Sequence, residues 1–132
     1  MGYKAKAEKE SSSTEVKYSM FIGRWQPLHK GHLWLINQRL KEGKKVWIAI
    51  RDVEPDEKNP WTAEEILDMV HEGELKDLIL DGRVMASIIP DIESINYGRG
   101  VGYDVIEHQP PKEIGDISAT SIREQMKKDG KL

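Results

Sequence analysis

Apolar runs separated by helix-like stretches organise this chain. Runs suited to buried strands lie at 18–22, 45–51 and 84–90. Between the first two runs, apolar residues recur at helical spacing from about 31 to 40. Gly43 follows, where a helix would be capped off. The opening pattern therefore predicts a strand, a turn and a helix, followed by a second strand.

The alternation continues beyond the second run. Thr62 and Glu65 have the spacing of a capping box and predict the start of another helix. The remaining predicted elements are a short helix at 74–80, a brief element at 92–97, a strand at 103–107 and a last helix at 118–128. Strands that alternate with helices predict an α/β fold, with a parallel sheet covered by helices on both faces.

Length and composition limit the architecture and the partners. The chain has 132 residues, which suits one domain at 18–132 after a flexible polar tail at 1–17. A net charge of −3 argues against a general nucleic-acid binder. No apolar run approaches the roughly 20 residues that span a bilayer, so we expect no membrane partner. The absence of cysteine fits a reducing compartment, and we expect the cytoplasm.

The turn between the first strand and its helix is the candidate binding site. The carboxyl end of a parallel strand and the free N–H groups of a helix start together favour an anion. Arg24, His29, Lys30 and His32 surround this point, and Gly31 allows the backbone to approach a ligand closely. A structural histidine pair, a zinc site and a solvated Lys30 are the alternatives, although zinc would need a third ligand.

Two motifs resemble those of a known superfamily. The stretch Gly23-Arg-Trp-Gln-Pro-Leu-His-Lys-Gly-His32 resembles the H-x-G-H signature of the nucleotidylyltransferases. Near the other end, Ile117-Ser-Ala-Thr-Ser-Ile-Arg123 resembles their second signature, I-S-x-T-x-x-R. The resemblance implies a single-domain Rossmann-like nucleotidylyltransferase fold. It also implies that a triphosphate lies between the starts of the first and last helices.

The resemblance carries residue roles with it. It implies catalytic roles for His32, His29 and Arg123, and nucleotide binding by Gly23, Arg24, Lys30, Gly31, Ile117, Ser118, Thr120 and Ser121. No protein metal ligand is implied, because Mg²⁺ is expected to be bound mainly by the triphosphate oxygens. The alternative for the second motif is ordinary helix capping, for example a capping box from Ser121 to Glu124. Trp25 is expected to pack in the protein rather than to stack on a base.

The first motif also resembles one branch of the superfamily. Gly23-Arg-Trp-Gln-Pro27 and Asn59-Pro-Trp-Thr-Ala63 are similar to blocks of archaeal-type nicotinamide-nucleotide adenylyltransferases. That resemblance implies transfer of AMP from ATP to nicotinamide mononucleotide, with release of pyrophosphate. The branch usually continues with G-E-R, whereas this chain has Glu64-Glu65-Ile66, and Tyr97 or Tyr103 would have to replace an aromatic residue of the acceptor pocket.

Two other functions remain open from the sequence. One is a cytidylyltransferase that uses CTP and a phosphorylated alcohol such as glycerol 3-phosphate. The other is a nucleotide-binding module without turnover. In each case a small phosphorylated ligand is the expected partner, and a homo-oligomer is expected because a domain of this size exposes much of its surface.

Overall fold

A computed structural model describes residues 17–132. The predicted tail at 1–17 therefore lies, except for Lys17, outside the described residues. The elements are β1 (Tyr18–Gly23), α1 (Lys30–Leu40), β2 (Lys45–Asp52), α2 (Ala63–Glu72), α3 (Lys76–Leu80), β3 (Val84–Pro90), α4 (Lys112–Gly115) and α5 (Ala119–Lys128). The three predicted apolar runs thus form the three strands, and the α/β class is confirmed.

The strands form one parallel sheet in the order β1-β2-β3. Side chains of Val46, Ile48 and Ile50 on β2 are fully buried, as expected for the central strand. They join a core cluster with Ile36 of α1 and Ile66 of α2. Because all three strands run the same way, their carboxyl ends meet at one edge, next to the start of α1.

Helices α1 and α2 pack on one face of this sheet. The core cluster lies on the face of Val46 and Val84, where α1 and α2 pack. On the opposite face Tyr18, Met20 and Met85 remain 36–43% exposed. The sequence predicted cover on both faces, and in the described part of the chain only one face has it.

The helix ends follow local capping chemistry. Thr62 and Glu65 form the predicted capping box, since each side chain accepts the other's backbone N–H. Gly43 has a φ of 79° in the turn at 41–43 that ends α1, a conformation that favours glycine. None of the described helices is both long enough and apolar enough to cross a bilayer.

Two predicted elements were wrong. Residues 92–97 and 103–107 form neither strand nor helix. Ile95, Tyr97, Tyr103 and Val105 are each at least 69% exposed, so their apolar side chains gain no burial that would stabilise a strand. A strand also needs a partner for its backbone groups, and the described sheet has only β1, β2 and β3. Local β propensity did not suffice without that pairing.

Candidate active site at the start of the first helix

The turn after β1 is held in shape by Trp25. Its side chain is 6% exposed, and its indole Nε1 donates to the carbonyl of Ala49 on β2 at 3.0 Å. Its backbone has a φ of 54°, which is unusual for a residue with a side chain. A Cβ on Gly23 would lie 3.2 Å from the indole, so glycine makes room for the ring. Trp25 is therefore a packing residue, as the sequence predicted.

His29 and His32 lie side by side at the first turn of α1. Their ring centroids are 3.8 Å apart and the planes are 20° from parallel. His29 Nδ1 accepts the N–H of Gly31 at 3.0 Å, and His32 Nδ1 accepts the N–H of His29 at 3.1 Å. Because both Nδ1 atoms accept, each neutral ring carries its proton on Nε2. The pair therefore presents two N–H donors.

Burial keeps these rings neutral. Desolvation lowers the pKa of His32 to about 4, and the neighbouring His29 acts in the same direction. Desolvation also lowers the pKa of His29. His32 packs edge-on against Trp25, with ring centroids 4.7 Å apart. Without a ligand, the two histidines therefore offer hydrogen bonds rather than full positive charges.

The lowered pKa of His32 predicts that stability depends on pH. The pKa in the folded state, about 4, is below the ordinary value of 6.5, so protonation favours the unfolded chain. This advantage of the unfolded chain is absent well above pH 6.5 and grows as pH falls towards 4, so the free energy of unfolding decreases over that range. We expect urea unfolding to show a larger loss between roughly pH 7 and pH 5 in the wild type than in His32→Gln. Equal losses in both proteins would contradict this assignment.

Gly31 fits tightly against His29. A Cβ at this position would lie 2.9 Å from His29 Cε1 and 3.1 Å from Nδ1. In an open helix, Gly→Ala would stabilise by about 1 kcal/mol. Here we expect Gly31→Ala to displace the His29 ring and to weaken triphosphate binding about tenfold or more. Gly98→Ala is the matched control, because its Cβ would meet nothing within 4 Å; equal binding by both variants would contradict the prediction.

Arg24 and Lys30 differ in their surroundings. Arg24 is half-buried, whereas Lys30 is exposed on the first residue of α1. The carboxylate of Asp56 accepts the backbone N–H groups of Asn59 and Lys58, and these bonds hold its pKa below the ordinary value, with a smaller effect from Arg24. Arg24 is thus close enough to interact with the loop after β2.

The second motif forms the start of α5. Ser118 is the N-cap, and its Oγ accepts the N–H of Ser121 at 3.1 Å. The capping box from Ser121 to Glu124 was wrong, because the N-cap of α5 lies three residues earlier. Thr120 Oγ1 accepts from Arg123 Nη2 at 3.3 Å. Ile117, which precedes the cap, is half-buried. At the helix start, Ser118, Thr120 and Ser121 are exposed.

The two motifs meet at the turn after β1. Arg123 Nη1 donates to the carbonyl of Gln26 at 2.6 Å, across 97 residues of sequence. The carbonyl of Ile114 in α4 lies 3.6 Å from where a Cβ on Gly31 would be. The structure therefore brings Arg123 to the same turn that leads into His29 and His32.

The electrostatics of both helix starts favour an anion. Neither α1 nor α5 has an acidic residue in its first turn, whereas α2 has Glu64 and Glu65 there. The positive ends of α1 and α5 are therefore not neutralised by their own side chains. Together with the histidine Nε2–H donors and the Arg123 guanidinium, they could bind several phosphate oxygens.

A cavity of about 210 Å³ adjoins the site, and His29 is one of its lining residues. It is lined mainly by apolar side chains of the α1 start and of α2, and neither Arg24 nor Arg123 reaches it. Phosphates need donors and cations, so this cavity does not suit them. Tyr97 and Tyr103 are 69% and 79% exposed, and no described contact brings either ring to the site.

Sequence reasoning left Gln26 out of the site. Its side chain is buried between the turn after β1 and the loop after β2, and its carbonyl receives Arg123. The sequence did offer one signal for Gln26. It is a polar residue between Trp25 and Pro27, at a position where a packed turn would be expected to carry an apolar residue.

Comparison with known proteins matches the region from β1 to the start of β3. Residues 20–84 match the family model described as cytidylyltransferase-like. A nicotinamide-nucleotide adenylyltransferase of Caldivirga maquilingensis is 36% identical over 77 residues, which are 57% of this chain and 43% of that protein. A nicotinamide/nicotinic acid mononucleotide adenylyltransferase of Acinetobacter baylyi is 42% identical over 55 residues, 40% of this chain and 29% of that protein.

A solved structure is also similar. It is a bifunctional NMN adenylyltransferase/ADP ribose pyrophosphatase from Francisella tularensis, with 36% identity and a TM-score of 0.49. The match covers 58% of this chain and 23% of that chain. The chain thus spans less than half the length of the adenylyltransferases from Caldivirga maquilingensis and Acinetobacter baylyi.

Proposed function

We propose that the chain is an adenylyltransferase of the cytidylyltransferase-like family, whose model matches residues 20–84. The proposed reaction transfers AMP from ATP to nicotinamide mononucleotide, forming NAD and releasing pyrophosphate. The observation that carries the proposal is the convergence of Arg123 with the His29–His32 turn. The names of the relatives support ATP over CTP as donor.

The site would act by positioning and by charge stabilisation. The acceptor phosphate attacks the α-phosphorus of ATP; a P–O bond forms, and the bond to the leaving pyrophosphate breaks. His32 and His29 would donate their Nε2 protons in hydrogen bonds to phosphate oxygens, and these bonds strengthen as negative charge develops. Arg123 would bind the departing β- and γ-phosphates. No covalent protein intermediate is needed.

The other nucleotide-binding residues would hold the triphosphate between the two helices. Their proposed contribution is made by free backbone N–H groups, hydroxyls and cations around the starts of α1 and α5. The set is Gly23, Arg24, Lys30, Gly31, Ile117, Ser118, Thr120 and Ser121.

Magnesium would enter as part of the nucleotide complex. Within residues 17–132, no group of three His, Asp or Glu side chains is arranged to hold a metal ion. We therefore expect Mg²⁺ to be bound mainly by triphosphate oxygens and water. The ion would neutralise phosphate charge while the histidines and Arg123 orient the α-phosphate. The cytoplasm is the proposed location, because ATP is available there.

Pyrophosphate release tests this function. The assay crosses ATP and CTP with nicotinamide mononucleotide, glycerol 3-phosphate and choline phosphate, all with magnesium. We expect release with ATP and nicotinamide mononucleotide. Release only with CTP would overturn the adenylyl assignment, and triphosphate binding without release for any acceptor would favour a non-catalytic module.

We also propose that the protein is a homo-oligomer. The open face of the sheet carries Tyr18, Met20 and Met85, which are 36–43% exposed, and a second copy could cover them. Light scattering should give at least twice the mass of one chain, 15.1 kDa. Met20→Glu should lower that mass, whereas Leu80→Glu, at a residue that is 74% exposed on α3, should not. A monomer mass for the wild type would contradict the proposal.

A further inference from the structure

Gln26 is a buried polar side chain outside the expected phosphate-binding set. It is 4% exposed and lies between Trp25 and Pro27, which are also buried. Burying a primary amide is unfavourable unless both its donor and its acceptor are paired. A polar residue at such a position therefore indicates that its hydrogen bonds matter, since an apolar residue would fill the same space with a smaller desolvation cost.

Both ends of the Gln26 amide are paired with one residue of another loop. Nε2 donates to the carbonyl of Trp61 at 2.9 Å, and Oε1 accepts the N–H of Trp61 at 3.2 Å. The side-chain amide thus pairs with both the N–H and the carbonyl of Trp61, as the backbone of a neighbouring β-strand would. This contact fixes the end of the loop at 53–61, which leads into α2.

The backbone of Gln26 makes a third connection. Its carbonyl accepts from Arg123 Nη1 at 2.6 Å, while Thr120 accepts from Nη2 of the same guanidinium. One residue therefore joins the turn after β1, the loop before α2 and the first turn of α5. The side chain restrains the peptide whose carbonyl orients Arg123.

We propose that Gln26 is a positioning residue that sets Arg123 relative to the histidine pair. Its side chain ties the turn to Trp61, and this tie holds the Gln26 carbonyl where Arg123 can bond to it while facing the triphosphate site. The kinetic consequence rests on the adenylyltransferase function proposed above. The structural consequence is restraint of the loop at 53–61 through Trp61, and it does not depend on that function.

Gln26→Met removes both amide bonds and keeps a similar side-chain volume. Gln38→Met is the matched control, because Gln38 Nε2 also donates to a tryptophan carbonyl, that of Trp34, at 2.9 Å, but within α1. We expect Gln26→Met to lower kcat about tenfold or more, since small misplacements of a catalytic group are costly. The Kd for ATP should change less than kcat. The control should match the wild type, and equal kinetics of the two variants would overturn the proposal.

A double-mutant cycle separates positioning from general loosening of the fold. If Gln26 acts through Arg123, Gln26→Met should have little further effect once Arg123 is alanine. Full additivity of the two effects would overturn the proposal. If no acceptor supports turnover, the same cycle is measured on the Kd for ATP, where non-additivity is again expected, so that failure of the proposed function does not leave Gln26 undecided.

Amide hydrogen exchange gives a measurement that needs no activity. The N–H of Trp61 bonds to Gln26 Oε1, so Gln26→Met should speed its exchange. Gln26→Glu retains an acceptor for this N–H and should preserve more of the protection. Unchanged exchange at Trp61 in a folded Gln26→Met protein would show that the tie does not restrain the loop, and would also overturn the proposal.

Discussion

Replacing His32 by alanine is expected to lower kcat by about 10²–10³-fold while the fold survives. Nδ1 of His32 is occupied by the N–H of His29, so Nε2–H is the free donor that would bind the α-phosphate. That hydrogen bond strengthens as charge builds in the transition state, so kcat should fall more than KM rises. Steady-state kinetics on the ATP and nicotinamide mononucleotide pair measure both effects.

His71→Ala is the control for this experiment. His71 is an exposed histidine near the end of α2 and should tolerate alanine without loss of rate. His32 also packs against Trp25, so circular dichroism and thermal unfolding must accompany the kinetics. If His32→Ala and the more conservative His32→Gln both unfold, the histidine is a packing residue. If both fold with full activity, His32 has no part in the reaction.

Replacing Arg123 by alanine is expected to lower kcat/KM about 10²-fold or more. Two of its guanidinium nitrogens are already aimed by the Gln26 carbonyl and Thr120, so the remaining donors are preorganised for phosphate oxygens. Arg123→Lys should recover only part of the rate, because an ammonium cannot make these bonds and bind two oxygens at once. Pyrophosphate-release kinetics and the Kd for ATP measure the loss.

Arg83→Ala tests whether loss of an arginine–carbonyl bond alone has this effect. Arg83 Nη2 donates to the carbonyl of Leu40 at 2.7 Å, remote from the turn after β1. This variant should lower stability without changing the Kd for ATP. Equal kinetic losses in the Arg83 and Arg123 variants would mean that Arg123 acts only through stability.

The elements that the sequence predicted well are those in which the pattern of buried residues and the local capping residues indicate the same structure. Ile48 and Ile50 lie in an apolar run that only a central strand buries, and Thr62 and Glu65 satisfy a helix start with their own side chains. The segment from 103 to 107 has strand-like residues, yet its pairing depends on a partner strand that local pattern cannot specify.

In the candidate site, too, local features could be predicted from the sequence and tertiary contacts could not. The closeness of His29 and His32 at a helix start follows from their spacing along one helix, and the sequence predicted it. The low pKa of His32 comes from burial in the folded protein, where the ring packs edge-on against Trp25. The contact of Arg123 with Gln26 spans 97 residues, and no local rule predicts it.

The fate of the α-phosphate distinguishes adenylyl transfer from every alternative. ATP labelled at the α-phosphate is incubated with nicotinamide mononucleotide, magnesium and the protein, and the products are separated. Adenylyl transfer predicts label in the dinucleotide, unlabelled pyrophosphate, and loss of both products in His32→Ala. Label confined to ATP while the protein binds the nucleotide, or label recovered in ADP, as transfer of the γ-phosphate would give, would contradict adenylyl transfer at the His29–His32 turn.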